Sequence, residues 1–105
     1  MLKINMEFRK GVLFIRLKGN LTKDTVRSLD NYLIPVISKQ GIKYIVYNLG
    51  AVTIIDNYGR ESLRKGIEAA KLNQGDGLIC NTNLTLNSEF KIVKNELVAL
   101  KLIQV

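Results

Sequence analysis

The run Asp56-Asn57-Tyr58-Gly59-Arg60 is the part of this sequence best suited to chemistry. It follows four largely apolar residues, 52–55, and it opens with residue types that begin helices, because their side-chain oxygens accept the first free backbone N–H groups. Those N–H groups give a helix start a partial positive charge. A phosphoryl group or an acidic side chain of a partner would be stabilised there. Simple helix capping explains the same residues, and the run alone leaves both explanations open.

The composition excludes several kinds of active site. The 105 residues contain no histidine and a single cysteine, Cys80. Zinc or copper sites built from those ligands are therefore excluded, as are an internal disulfide and any catalytic triad that needs histidine. Asp56 invites comparison with a response-regulator receiver, but the acidic pair that would hold Mg²⁺ after the first strand is missing. We expect no cofactor, no metal site and no enzymatic activity.

The charge balance favours an acidic partner. Sixteen basic and nine acidic residues give a formal net charge of +7. At 100° per residue, Arg60, Arg64 and Lys71 fall on one stripe of a helix. The stripe is either an ordinary solvated face or a docking face for acidic side chains. Basic residues are spread over several predicted elements without an aromatic stacking platform, so nucleic-acid binding is the less favoured alternative.

Apolar periodicity predicts the elements that position this run. Alternation over residues 4–9 and 12–18 predicts a hairpin that turns at Lys10-Gly11, and the break Gly19-Asn20-Leu21-Thr22 ends it. Spacings of three and four predict a helix from an N-cap at Thr22 to Gly41, kinked or cut short at Pro35. The uninterrupted apolar run 44–49 is typical of a buried parallel strand.

The second half of the chain continues as strand–helix units. Residues 50–55 are predicted to be a connector, 58–72 a helix and 77–80 a short buried strand. The inner face of that helix is predicted to comprise Leu63, Ile67 and Ala70, with Gly66 allowing close packing on the sheet. A third helix is predicted to open at Asn87, with Phe90, Val93 and Leu97 on one face, and a final strand to span 100–105.

The predicted order is therefore β-β-α-β-α-β-α-β in one domain, residues 1–105. Repeated strand–helix units require a mixed, mostly parallel sheet, here of about five strands, with helices mainly on one side. No apolar stretch approaches the length of a membrane span, and the first residues lack a secretory signal pattern. We expect a cytoplasmic protein that does not bind membranes.

The hairpin, the break at 19–22, the strand 45–49 and the run 56–59 together resemble the STAS domain, the fold of bacterial anti-sigma factor antagonists. The family pattern is Gly-x-Leu-Asp at the break and Asp-Ser-Ser-Gly at the helix start, after a hydrophobic run. The resemblance covers nearly all of residues 4–105. No single motif establishes the resemblance, which depends on the order and spacing of all of them together.

The resemblance implies a non-enzymatic regulator that binds an anti-sigma factor and so releases a sigma factor. The anti-sigma factor is usually an ATPase-type serine kinase, which phosphorylates the serine before the motif glycine and breaks the complex. A metal-dependent serine phosphatase resets it. Phosphorylation breaks such a complex because it places about two negative charges in a packed interface, where they repel their neighbours and must be desolvated.

This sequence departs from the family pattern at the switch itself. Tyr58 occupies the phospho-acceptor position, Asn57 the serine before it and Thr22 the aspartate, while Asp56 and Gly59 are retained. A phenol places its oxygen about 4 Å farther from the backbone than a serine hydroxyl does, so switching at the usual site is not expected. The C-terminal helix common in the family is also not expected, because a final strand is predicted there.

Two interpretations of Tyr58 follow. Tyrosine is a favoured interface anchor, so Tyr58 either anchors a partner or packs on its own loop while the partner binds elsewhere. A scaffold subunit of a larger STAS assembly is the second functional alternative, and a homodimer remains open. The predicted partner-binding residues are Asn20, Leu21, Thr22, Asp56, Asn57, Tyr58, Gly59, Arg60 and Arg64.

Overall fold

Five strands and three helices make up residues 1–104, the part of the chain that the computed structural model describes. Strands β1 (Lys3–Arg9) and β2 (Val12–Leu21) form the predicted hairpin. The remaining elements are α1 (Lys23–Lys39), β3 (Tyr44–Ile55), α2 (Asn57–Leu72), β4 (Asp76–Cys80), β5 (Ile92–Val93) and α3 (Glu96–Ile103).

The sheet has the order β1-β2-β3-β4-β5, and only β1 runs antiparallel to its neighbour. Alternate residues of each strand point to opposite faces. One face packs against α1 and α2 through side chains such as Ile15, Leu33 and Leu63. The other face carries a smaller cluster around Phe14 and Val46, which α3 covers. The predicted α/β class, the mixed five-stranded sheet and the placement of helices mainly on one side are confirmed.

The predicted elements after residue 86 are wrong. Asn87 opens no helix, Val93 lies in β5, and Leu97 is exposed on α3. The predicted strand 100–105 is instead the second half of α3 as far as Ile103, so the family's C-terminal helix is present; Val105 lies outside the described residues. Asn95 starts this helix, because its Oδ1 accepts the Val98 N–H at 2.9 Å. Periodicity does not distinguish a strand from a helix in a short apolar run, and the prediction failed for this reason.

Three boundaries in the first half also differ from prediction. Helix α1 continues through Pro35, which lies on its exposed side, so an early end is wrong. Strand β2 continues through the first three residues of the predicted break at 19–22, and β3 continues through the predicted connector at 50–55.

Two β-bulges explain why periodicity missed the long strands. Between the pairs Arg16–Asn48 and Lys18–Ala51, β3 advances three residues while β2 advances two. A second extra residue, Thr53, lies between the partners of Gly19 and Asn20. Each bulge interrupts the apolar alternation on which a strand prediction depends, and it redirects the side chains that follow.

Gly66 confirms the predicted close packing of α2 on the sheet. A Cβ atom at this position would lie 1.9 Å from the hydroxyl oxygen of Tyr47 and 3.0 Å from its Cζ. Tyr47 is fully buried, and within residues 1–104 its hydroxyl has no hydrogen-bond partner. Burial raises the pKa of this phenol well above its usual value, so it stays neutral.

Candidate functional site

The N-termini of α1 and α2 lie side by side because the strands before them are parallel neighbours. Leu21 and Ile55 are paired at the ends of β2 and β3, and each strand leads within two residues into its helix. The carboxyl ends of parallel strands are the usual position of binding sites in open α/β sheets. The predicted run 56–60 therefore lies at the edge of the sheet where partner contacts are expected.

Asp56 joins the two helix starts through its carboxylate. Its Oδ1 accepts the Gly59 N–H at 2.8 Å, and its Oδ2 accepts the Lys23 N–H at 3.0 Å. The backbone N–H of Asp56 donates to the carbonyl of Leu21 at 3.3 Å. The Gly59 N–H, followed by that of Lys23, lowers the pKa of Asp56 below its usual 3.8. The predicted cap of α2 is confirmed; the bond to α1 was not predicted, because nothing local in sequence connects residue 56 to residue 23.

Gly59 allows the first turn of α2 to press against the end of β2. A Cβ atom there would lie 2.1 Å from the carbonyl oxygen of Leu21 and 2.8 Å from Cγ1 of Ile55. No side chain fits in that space. Retention of glycine at this position is therefore explained by packing within the chain.

Tyr58 projects from the first turn of α2 into solvent. It is 55% exposed, and the Nζ atom of Lys23 lies 5.6 Å from the centroid of its ring. At that distance a cation–π interaction holds the ring in place while leaving its outer face free. More than half of the side chain is therefore accessible to a partner.

Ile54, four residues before Tyr58, is a second exposed apolar side chain, also at 55%, and it is absent from the predicted partner-binding residues. The bulge at Thr53 turns Ile54 outward and leaves Ile55 to pack on the core. Adjacent isoleucines at the end of a strand could have indicated this, since only one of them can face the core.

Most of the predicted partner-binding residues lie on one surface, but some of them do not. Leu21 is fully buried, so its side chain is removed from the predicted contact surface. Arg64 lies one helical turn beyond Arg60 and forms ion pairs with Glu61 and Glu89, so the structure does not bring it together with the other predicted residues. Gly59 is also buried, and its backbone N–H is taken up by Asp56. The remaining residues, with Lys23 and Ile54 added, define what we call the helix-mouth surface: Asn20, Thr22, Lys23, Ile54, Asp56, Asn57, Tyr58 and Arg60.

Hydrogen bonds within the helix-mouth surface fix its polar members. Asn20 accepts the Thr53 hydroxyl at 2.9 Å. Thr22 is the N-cap of α1, as predicted, and its N–H donates to Thr25 Oγ1 at 3.0 Å. Arg60 donates to the side-chain oxygen of Asn57 at 3.1 Å. These groups are ordered before any partner arrives, which lowers the entropic cost of binding.

The electrostatic character of this surface is positive. Among residues 1–104, neither Lys23 nor Arg60 forms an ion pair with a carboxylate. Asp56 is the one carboxylate of this surface, and because it accepts N–H groups at both helix starts it offsets their partial positive charges. Lys23 and Arg60 together therefore leave a net positive charge. Of the predicted basic stripe, Arg64 and Lys71 are paired with glutamates on their own helix, so only Arg60 contributes its charge here.

Neither a metal centre nor a membrane span is found in the described part of the chain. No group of three or more potential metal-ligating side chains occurs within residues 1–104. None of the three helices is long and apolar enough to cross a membrane.

The sequence model of the STAS domain family matches residues 3–100. The chain belongs to the STAS domain family.

Solved structures share this fold at low sequence identity. An anti-sigma factor antagonist from Mycobacterium paratuberculosis is 18% identical, with a TM-score of 0.84 over 100% of this chain and 96% of that one. The anti-sigma factor antagonist SpoIIAA in its unphosphorylated form is 16% identical, with a TM-score of 0.80 over 97% and 98%. The Bacillus cell fate determinant SpoIIAA in its phosphorylated form is 18% identical, with a TM-score of 0.76 over 96% and 99%. At these identities the likeness establishes the fold.

Proposed function

We propose that this protein is a non-enzymatic regulator that binds an anti-sigma factor at the helix-mouth surface and so frees a sigma factor. Membership of the STAS family and the likeness to antagonists such as SpoIIAA support this role. An ATPase-type serine kinase is the class of anti-sigma factor that the family favours. The site of action would be the bacterial cytoplasm.

The observation that carries the proposal is that Tyr58 is exposed while hydrogen bonds fix the groups around it. A tyrosine offers a large contact area and loses little conformational freedom on binding. Lys23 holds the ring from one side, and Asp56 fixes the backbone beneath it. An aromatic side chain presented in this way has the properties of an interface anchor.

Phosphorylation at the usual position is not part of the proposed mechanism. One relative was solved in both phosphorylated and unphosphorylated forms, but this chain has Tyr58 and Asn57 where the family pattern has two serines. We therefore propose a binder that a serine kinase does not release, so that no serine phosphatase is needed to restore this contact. Its activity would be set by its concentration.

Two tyrosines of equal exposure provide the test. Tyr58 is 55% exposed and Tyr32 is 56% exposed, but Tyr32 lies nine residues beyond Lys23 on α1, or about 14 Å along the helix. The tagged protein and the variants Tyr58→Ala and Tyr32→Ala are used to capture proteins from the source bacterium, and the captured anti-sigma factor is then purified for calorimetry. Loss of a central anchor costs about 2 kcal/mol or more, which is about 30-fold in Kd.

The expected result is a 30-fold weaker Kd for Tyr58→Ala with Tyr32→Ala unchanged. Equal affinity of all three proteins would remove Tyr58 from the interface. Light scattering on the purified protein addresses the alternative of a scaffold subunit, since a discrete large particle would favour that function. Salt-dependent DNA binding near micromolar affinity would favour a nucleic-acid module instead.

A further inference from the structure

The second half of β3 has a free edge on the side away from β2. Strand β4 pairs only with residues 44–48 of β3 and ends at Cys80. Asn81 follows with φ of 59°, a left-handed conformation that turns the chain out of the sheet. Within residues 1–104, no backbone hydrogen bond joins residues 51–55 to the segment after β4.

The loop after β4 packs elsewhere. Leu84 and Leu86 pack against the core under α1 and α2, and the carbonyl of Thr85 accepts a hydrogen bond from Arg60 at 3.4 Å. The loop is close to β3 at Gly50, where a Cβ atom would lie 3.3 Å from that of Asn81. Gly50 donates its N–H to Asn48 Oδ1. The outward backbone groups of residues 51–55 therefore have no backbone hydrogen-bond partner among residues 1–104.

This edge lacks the protection that sheet edges normally have. Proteins guard free edges with charged residues, proline or very short strands. The outer strand β1 carries Lys3, Glu7 and Arg9, and β5 at the opposite edge has only two residues. Residues 51–55, Ala-Val-Thr-Ile-Ile, contain neither a charge nor a proline. An uncharged strand of high β propensity with an open edge adds another strand readily.

We propose that residues 51–55 accept an extended, acidic segment of a partner protein as an additional strand. This inference rests on the proposed function, because it names how the partner would bind beside Tyr58. Backbone pairing would supply affinity, and the exposed side chain of Ile54 would contact the added segment. The N-terminus of α2 lies at the end of that strand, so one segment could contact both features.

The charges around the edge select the occupant. Lys18 is the β2 partner of Ala51, and Lys23 and Arg60 lie at the other end of the edge. Among the described residues none of these three forms an ion pair. A second copy of this chain would bring two such clusters together and add a second charge of +7. An acidic segment is attracted by the same cations, so it is the occupant that the charges favour.

The test uses the purified protein and a synthetic eight-residue peptide of alternating threonine or valine and glutamate. A second peptide has the same side chains but N-methylated amides, so it cannot complete a ladder of backbone hydrogen bonds. Binding and amide hydrogen exchange of residues 51–55 are followed by NMR. We expect protection of these amides by the first peptide, at least tenfold weaker binding of the methylated peptide, and at least threefold weaker binding in 0.5 M NaCl because of screening.

Four outcomes would overturn the inference. They are outward amides of residues 51–55 that are already protected in the monomer, protection that arises from dimerisation of the chain, absence of binding, and equal binding of both peptides. None of them depends on the anti-sigma factor, so the edge can fail while the Tyr58 capture experiment succeeds. Conversely, loss of the Tyr58 effect leaves the peptide result unchanged.

Discussion

Gly66 and Tyr47 form a contact whose energy a double-mutant cycle can measure. Gly66→Ala places a methyl group 1.9 Å from the Tyr47 hydroxyl oxygen, far inside contact distance. Overpacking of this kind costs about 3 kcal/mol at the upper end of its range, and alanine regains about 1 kcal/mol of helix propensity. We therefore predict a net loss of about 2 kcal/mol in the free energy of unfolding.

Tyr47→Phe should change both the free energy of unfolding of the parent protein and the cost of Gly66→Ala. It removes a buried hydroxyl that has no partner within the described residues, which should stabilise the protein by about 1 kcal/mol. In this background the nearest atom to a methyl group at Gly66 is Cζ at 3.0 Å, a tight contact that a small shift relieves. Gly66→Ala should then be about neutral. The predicted coupling between the two positions is about 2 kcal/mol.

Urea unfolding of the four proteins at pH 7 measures this coupling, provided that the slope of free energy against urea is the same for all four. Effects that add to within about 0.5 kcal/mol would refute the packing explanation for Gly66. A marked loss of stability in Tyr47→Phe alone would show that the hydroxyl has a hydrogen-bond partner in solution.

Three further predictions concern caps, α3 and the thiol. Asp56→Ala should lower Tm more than Asn95→Ala, measured by calorimetry, because Asp56 accepts backbone N–H groups from the first turns of two helices and Asn95 from one. Since the pKa of Asp56 is lowered below 3.8, its contribution is present above that pH and is lost as the pH falls through the lowered value; Asp56→Ala should abolish this part of the acid transition. Glu96→Gln should speed amide exchange in α3 but not in α2, because the bidentate pair with Arg16 attaches α3 to the sheet. Burial raises the pKa of Cys80 to about 12, so a thiol reagent at pH 8 should react only when urea unfolds the protein.

The parts of the fold that sequence predicted are those where one local signal dominates. The hairpin turn, the N-cap at Thr22 and the inner face of α2 each follow from turn residues, caps or a clear helical period. The failures have two physical causes. Bulges in β3 removed the period of two, and the apolar run of α3 carries no period that separates helix from strand.

The candidate site was predicted in position but not in detail. Capping chemistry located the start of α2 at Asp56, and the family spacing connected it with residues 20–22. The exposure of Ile54, the burial of Leu21 and the bond from Asp56 to α1 depend on strand register and on contacts between distant residues. None of these is encoded in local spacing, so a single sequence could not supply them.

An NMR map of the contact surface tests the central claim most directly. The ¹⁵N-labelled protein is titrated with the purified anti-sigma factor, and the shift and broadening of each backbone amide are recorded. The account predicts that the largest changes fall on residues 20–23 and 54–60, at the two helix starts. Changes confined to α3 or to β1, with residues 54–60 unaffected at saturation, would contradict it.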